Sequence, residues 1–173
     1  MIITDDDARK YPDLRAYLLY SLSQLPQSKP AVYKALRKYT AFEPAIAIMW
    51  GTTPWLSPED SQMTQCVDVG EEKIGDNLYV MRRTIPWYGF TVPNRSSDKI
   101  LIAADLASLG GTKDEIVLEA TILHEVVHWT WLKAGRDDYD KEDAPRAFER
   151  EAYGKVVLRT WKSCFEQEYY KVK

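Results

Sequence analysis

Histidine is scarce in this chain: there are two among 173 residues, His124 and His128. Cysteine is equally rare. Cys66 and Cys164 form no CxxC pair, which argues against a structural zinc knuckle or a thioredoxin-like redox site. The two thiols read as buried side chains, and a disulfide between them would require an oxidising compartment. No apolar run approaches the roughly 18 residues that a membrane-crossing helix needs, so no membrane span is expected. Charge of either sign is not in excess: the net charge is −3 with the signs interspersed, which leaves no basic footprint for nucleic acid. The N-terminal MIITDDDARK is acidic where a secretory leader would be basic and then apolar, so no classical signal peptide is expected. Repeats, low-complexity tracts and an internal linker are also absent. The composition, 45% apolar and 28% charged, is that of an ordinary globular protein, and a single domain spanning 1–173 is the simplest account.

The two histidines fall four apart with a glutamate between them, as HEVVH, His124-Glu125-Val126-Val127-His128. On a helix that spacing puts both imidazoles on one face a turn apart, within reach of one Zn²⁺. Glu125 then stands where it can take a proton from water rather than bind the metal, which is the zincin arrangement. The surrounding TKDEIVLEATILHEVVHWTWLKAG predicts a long helix. Thr112 and Glu115 make a capping box, Gly110 and Gly111 break the chain before it, and Gly135 can end it in the left-handed conformation. Ile116, Ala120, Leu123, Val127 and Trp131 form one apolar stripe that Leu118, Ile122, Val126 and Trp129 widen, so the helix is expected to be buried. A histidine in a buried helix is commonly a hydrogen-bonded core residue. Two of them flanking a glutamate form a costly polar cluster unless a metal or other partners satisfy it.

Elsewhere the pattern predicts a helical N-terminal third, a β-rich middle and a helical end. Thr4 before Asp5, Asp6 and Asp7 looks like an N-cap, Pro12 interrupts, and Leu14, Leu18, Leu22 and Leu25 follow at helical spacing. Pro30 to Tyr39 reads as a short amphipathic helix with Lys34, Arg37 and Lys38 outward. Ala45 to Trp50 is a short apolar run, followed by a loop through Pro54 and Pro58. Gln62 to Val69, Asn77 to Thr84 and Lys99 to Ala104 are strand-like. Trp87, Tyr88 and Phe90 lie between two of these strands, as a satellite core or as one wall of a substrate groove. The strand Lys99 to Ala104 is either an ordinary core strand or an edge that pairs with an extended peptide. Asp137, Asp138, Tyr139, Asp140 and Glu142 lie in an acidic loop, after which Asp143 can cap a last helix from about Ala144 to Tyr169. The expected fold class is α+β, a small mixed or antiparallel sheet packed on the buried HExxH helix with further helices.

Catalytic zinc normally has three protein ligands and one open position. With no third histidine the metzincin pattern is excluded, its glycine and final histidine positions being held by Trp131 and Ala134. An acidic third ligand is expected, with Cys164 a lesser choice. A ligand on a rigid element is better preorganised than one on a loop, which favours the last helix over the acidic loop. Glu149 and Glu151 in AFEREAYG are the contenders, about 200° apart on a helix, so one alone can face the metal. Glu149 shares its face with Ala152, Tyr153 and Val156 and is preferred; Glu151 is the alternative ligand. Tyr153 and Tyr139 are the nearest candidates to assist an oxyanion.

ATILHEVVHW followed by AFEREAYG, with the opening YPDL segment, resembles the zincin-like metallopeptidase toxin domains of bacterial polymorphic toxin systems, themselves similar to gluzincins. The resemblance implies a protein-cleaving effector exported by a specialised secretion system, with a polypeptide substrate and a cognate immunity protein or carrier as partners. One departure is visible: the aspartate common four positions after the glutamate ligand is Tyr153 here. Two other functions fit the same residues. One is a non-catalytic zinc-binding interaction protein, marked by a closed fourth coordination position; the other is a cell-wall peptide hydrolase, marked by a pocket too narrow for an extended polypeptide.

Overall fold

A computed structural model describes residues 1–59, 64–74, 77–86, 89–108, 115–138, 140–157 and 167–171, with backbone alone for 64–74, 77–86 and 167–171. The chain opens with helix α1 (Asp5–Lys10), which Thr4 caps by accepting the Asp7 N–H at 3.0 Å, as the sequence predicts. Pro12 starts α2 (Pro12–Ala16), which continues through a π turn and a 3₁₀ turn into α3 (Leu25–Ser28). Leu14, Leu18, Leu22 and Leu25 are all buried. Helix α4 (Pro30–Tyr39) buries Val32, Ala35 and Leu36 and exposes Lys34, Arg37 and Lys38, the expected amphipathic split. The apolar run that follows forms the short helix α5 (Ala45–Ile48).

Strand β1 (Trp55–Glu59) occupies part of the segment that its prolines mark as a loop. Pro58 is tolerated there because, among the described residues, β1 is an outer strand of its sheet, where a missing N–H costs no ladder bond. β2 (Thr64–Ile74) pairs with β3 (Asn77–Pro86), and β3 with β6 (Gln167–Lys171), all antiparallel. The other sheet has the order β1-β5-β4, with β4 (Gly89–Thr91) antiparallel to β5 (Lys99–Ala103) and β1 parallel to it. β5 is therefore central among the described residues, and its edge reading is corrected: both of its ladders are already used by β1 and β4.

After the short α6 (Ala104–Ala107), α7 (Glu115–Lys133) carries the two histidines and packs against α8, β4, β5, α4 and α6. Its apolar residues run almost all the way round, and Leu123, Val126 and Val127 are fully buried. Each such side chain contributes roughly 1.5–3 kcal/mol through its removal from water. Ile116 is the exception to the predicted stripe, being exposed near the helix start. Gly135 ends α7 with φ +76°: its N–H reaches Leu132 O at 3.0 Å and the Arg136 N–H reaches Trp131 O at 3.1 Å. Thr112, Gly110 and Gly111 lie outside the described residues.

Helix α8 (Asp143–Tyr153) is shorter than expected. Gly154 takes φ +74° and returns its N–H to Arg150 O at 3.0 Å, so the chain leaves the helix there instead of continuing to Tyr169. The result is a mixed α and β structure in which α7 packs against the helices α4, α6 and α8 and against the strands β4 and β5.

Candidate metal centre

One helical turn separates His124 and His128 on α7, and their rings are tilted 59° to one another with centroids 5.0 Å apart and Nε2 atoms 3.2 Å apart. Glu142, immediately before α8, closes the group. Its Oε2 lies 3.3 Å from His124 Nε2 and its Oε1 3.7 Å from His128 Nε2. The donor atoms of His124, His128 and Glu142 all lie within 4.8 Å of one another, a set that could hold a metal ion. Glu142 is placed by the start of α8, where its carbonyl accepts the Arg146 N–H at 3.0 Å and its carboxylate pairs with Arg146 Nε at 3.2 Å.

Glu149 takes a different position from the one expected of it. Its Oε1 lies 2.5 Å from His124 Nδ1, on the ring nitrogen turned away from Glu142, and its Oε2 accepts the Val157 N–H at 2.6 Å. Buried and with both oxygens engaged, it fixes the orientation of the His124 ring. Glu151 lies away from the histidines, on Lys38 Nζ at 2.6 Å and Tyr39 OH at 2.8 Å at the protein surface. The helical phase separated the two glutamates correctly, since they sit on different faces of α8.

Burial would lower the His124 pKa, but its hydrogen bonds to Glu142 and Glu149 and the charges of Glu125 and Glu142 outweigh it and raise His124 from 6.5 to about 10. Burial conversely tends to raise Glu142, yet its bonds to His124 and His128 hold it well below the ordinary carboxylate range. His124 thus lies between two acidic side chains, surroundings that favour a positive charge and would suit a divalent cation.

Glu125 is buried beside this group and points toward β4. Thr91 Oγ1 lies 2.9 Å from its Oε2 and 3.0 Å from its backbone oxygen, and Gly89 backs directly onto its side chain. Tyr153 is directed elsewhere: its hydroxyl reaches Glu119 Oε1 at 3.2 Å, in a buried group with Tyr17 OH and Lys29 Nζ. Tyr139, Cys164, Trp87 and Tyr88 lie outside the described residues, as does the side chain of Cys66.

Two residues outside the favoured sequence set lie against it: Glu142 beside the histidine pair and Thr91 on Glu125. The sequence places Glu142 in the acidic loop, yet its position directly before Asp143 and Pro145 marks a helix start, which is a rigid mount. Thr91 carries no sequence signal, because its relation to Glu125 arises from β4 packing on α7.

Among the comparisons with known proteins, the family model described as metallopeptidase toxin 3 matches residues 7–154. No curated protein matches, and no solved structure does. The match runs from within α1 to just past the end of α8, including both histidines, Glu125, Glu142 and Glu149, and its family name carries a metal and a peptide-cleaving activity with it. By that match over most of its length, the chain belongs to the metallopeptidase toxin 3 family.

Proposed function

We propose that the chain is a zinc-dependent peptidase of zincin-like architecture, with His124, His128 and Glu142 holding the metal and Glu149 orienting His124. The observation that carries this reading is the convergence of two imidazole Nε2 atoms from α7 and the Glu142 carboxylate from the residue just before α8. Two nitrogens and one carboxylate make a donor set that suits zinc, and three protein donors match catalytic sites better than structural ones. Held by His124, His128 and Glu142, zinc would supply Lewis-acid polarisation of the scissile carbonyl and would make water easier to deprotonate near neutral pH. Glu125 takes the proton from the attacking water and delivers it to the leaving amine. Neither tyrosine is assigned an oxyanion role; the Tyr153 hydroxyl is engaged by Glu119.

A polypeptide substrate fits this site. β4 is the outer strand of its sheet among the described residues and runs beside Glu125, which supports binding of an extended chain along it. Membership of a toxin family further supports export by a specialised secretion system and a cognate immunity protein in the producing cell.

The test is the metal content and peptidase activity of purified protein, wild type against Glu125→Gln. One zinc per chain in both, with turnover abolished in the variant, is the expected result. Turnover retained by Glu125→Gln would sink the mechanism, and zinc without turnover in the wild type on any polypeptide or cell-wall peptide would favour a binding role.

A further inference from the structure

We propose that strand β4 sets the catalytic glutamate: Thr91 is a positioning residue that fixes Oε2 of Glu125, and Gly89 clears the space that leaves Oε1 to take the proton. This inference rests on Glu125 being the general base.

Alternate residues of a strand share a face, so positions 89 and 91 both look toward α7. The register of β4 is fixed by β5, with Gly89 opposite Ile102, Phe90 opposite Leu101 and Thr91 opposite Ile100. Thr91 is 5% exposed and Glu125 6%, so the carboxylate has lost most of its water and depends on protein partners. The Thr91 hydroxyl has one proton to give, with Glu125 Oε2 at 2.9 Å and the Glu125 carbonyl at 3.0 Å as acceptors. Both acceptors belong to Glu125, so either bond holds that residue against β4, and the bond to Oε2 is the one that restrains the carboxyl group.

Gly89 acts by what it omits. A Cβ at that position would stand 2.7 Å from Glu125 Cγ, 3.0 Å from Thr121 Cγ2 and 3.1 Å from Glu125 Oε1. Any side chain at 89 would push Glu125 off its present rotamer or crowd Oε1. The terminal torsion of a glutamate is broad by nature, so an unsupported carboxylate samples orientations in which neither oxygen is aimed correctly. Thr91 from one side and the bare backbone of Gly89 from the other remove that freedom. A general base needs placement to within about 0.5 Å, and misplacement by about 1 Å can cost on the order of 100-fold in rate.

The experiment uses the zinc-loaded full chain with Thr91→Val, Thr91→Ser, Gly89→Ala and Glu125→Gln. Thr91→Val keeps the shape and removes the hydroxyl. Its kcat is expected to fall about 10- to 100-fold with KM and zinc content unchanged, Thr91→Ser is expected to recover most of the loss, and Gly89→Ala is expected to lower kcat. Wild-type kcat in Thr91→Val, or no recovery in Thr91→Ser, would overturn the proposal. An activity-free readout accompanies it: the unfolding midpoints of metal-free Thr91→Val, Glu125→Ala and the double variant. Shifts that fail to add support the Thr91–Glu125 bond, and additive shifts refute it. Should Glu125→Gln prove as active as wild type, the peptidase mechanism fails on its own, while the unfolding cycle still judges the bond.

Discussion

His124 lies between two carboxylates that meet opposite nitrogens of its ring, Glu149 at Nδ1 (2.5 Å) and Glu142 at Nε2 (3.3 Å). Both come from one short stretch at and just before α8, seven positions apart, so that two helical turns separate the residue facing the histidine pair from the residue behind it. Such a geometry divides metal binding from ring orientation, and the two carboxylates should therefore respond differently to substitution.

Glu142→Ala should abolish tight zinc binding, whereas Glu149→Gln should weaken it by roughly 10- to 100-fold, the usual cost of losing a carboxylate behind a ligating histidine. Competition with a chromophoric chelator measures both. Equal losses in the two variants would argue against this division of labour.

Zinc binding should release protons. With the metal-free His124 pKa raised to about 10, the ring is protonated at pH 7 and must give up about one proton per zinc bound. Calorimetric titration in two buffers of different ionisation enthalpy counts it directly. No dependence on the buffer would contradict a protonated His124.

The same shift sets how metal-free stability depends on pH. His124 holds its proton more tightly when folded, so its contribution is complete below about pH 6.5 and is lost as pH rises through about 10. Glu142 has the opposite sign: its depressed pKa contributes stability that is present above about pH 4.5 and lost only in strong acid. The urea midpoint of metal-free protein should thus fall between pH 7 and 10, and saturating zinc should remove most of that fall. A midpoint that rises over this range would refute the ion pairing.

Tyr153→Phe should leave kcat within about 2-fold while lowering stability by about 1 kcal/mol, the usual net value of one hydrogen bond, because its hydroxyl serves Glu119 and not the histidines. A large kcat loss at unchanged stability would restore the oxyanion role. Chemical denaturation and initial rates on the same preparation decide between them.

Gly154→Ala should cost about 1–2 kcal/mol. Among the described residues, chain neighbours aside, nothing lies within 4 Å of where its Cβ would stand, so the expected effect is that of the left-handed backbone at φ +74°. Thermal denaturation reads it, and a neutral substitution would mean that the end of α8 can rearrange.

Local signals made much of this protein legible in its sequence. The four-residue spacing of His124 and His128 fixed their shared helical face, the Thr4 cap and the Lys34, Arg37 and Lys38 face marked α1 and α4, and Gly135 marked the end of α7. These features act within one or two turns, where backbone geometry alone links residue type to position. β1 was hidden because Pro58 is a loop signal until the strand is known to be an outer one, and the early end of α8 was hidden because the signal at Gly154 competed with helix-compatible residues beyond it.

The histidine pair and the glutamate between them were determined by the sequence alone, since an α-helix allows only one relation between residues one turn apart. Which carboxylate joins the pair was decided by tertiary structure. The angle and register at which α8 packs on α7 bring Glu142 to the two Nε2 atoms and put Glu149 behind the ring. Likewise, β4 meets Glu125 only because β5 carries it to the face of α7. No spacing along the chain encodes such contacts, because they depend on how whole elements pack to bury their apolar faces.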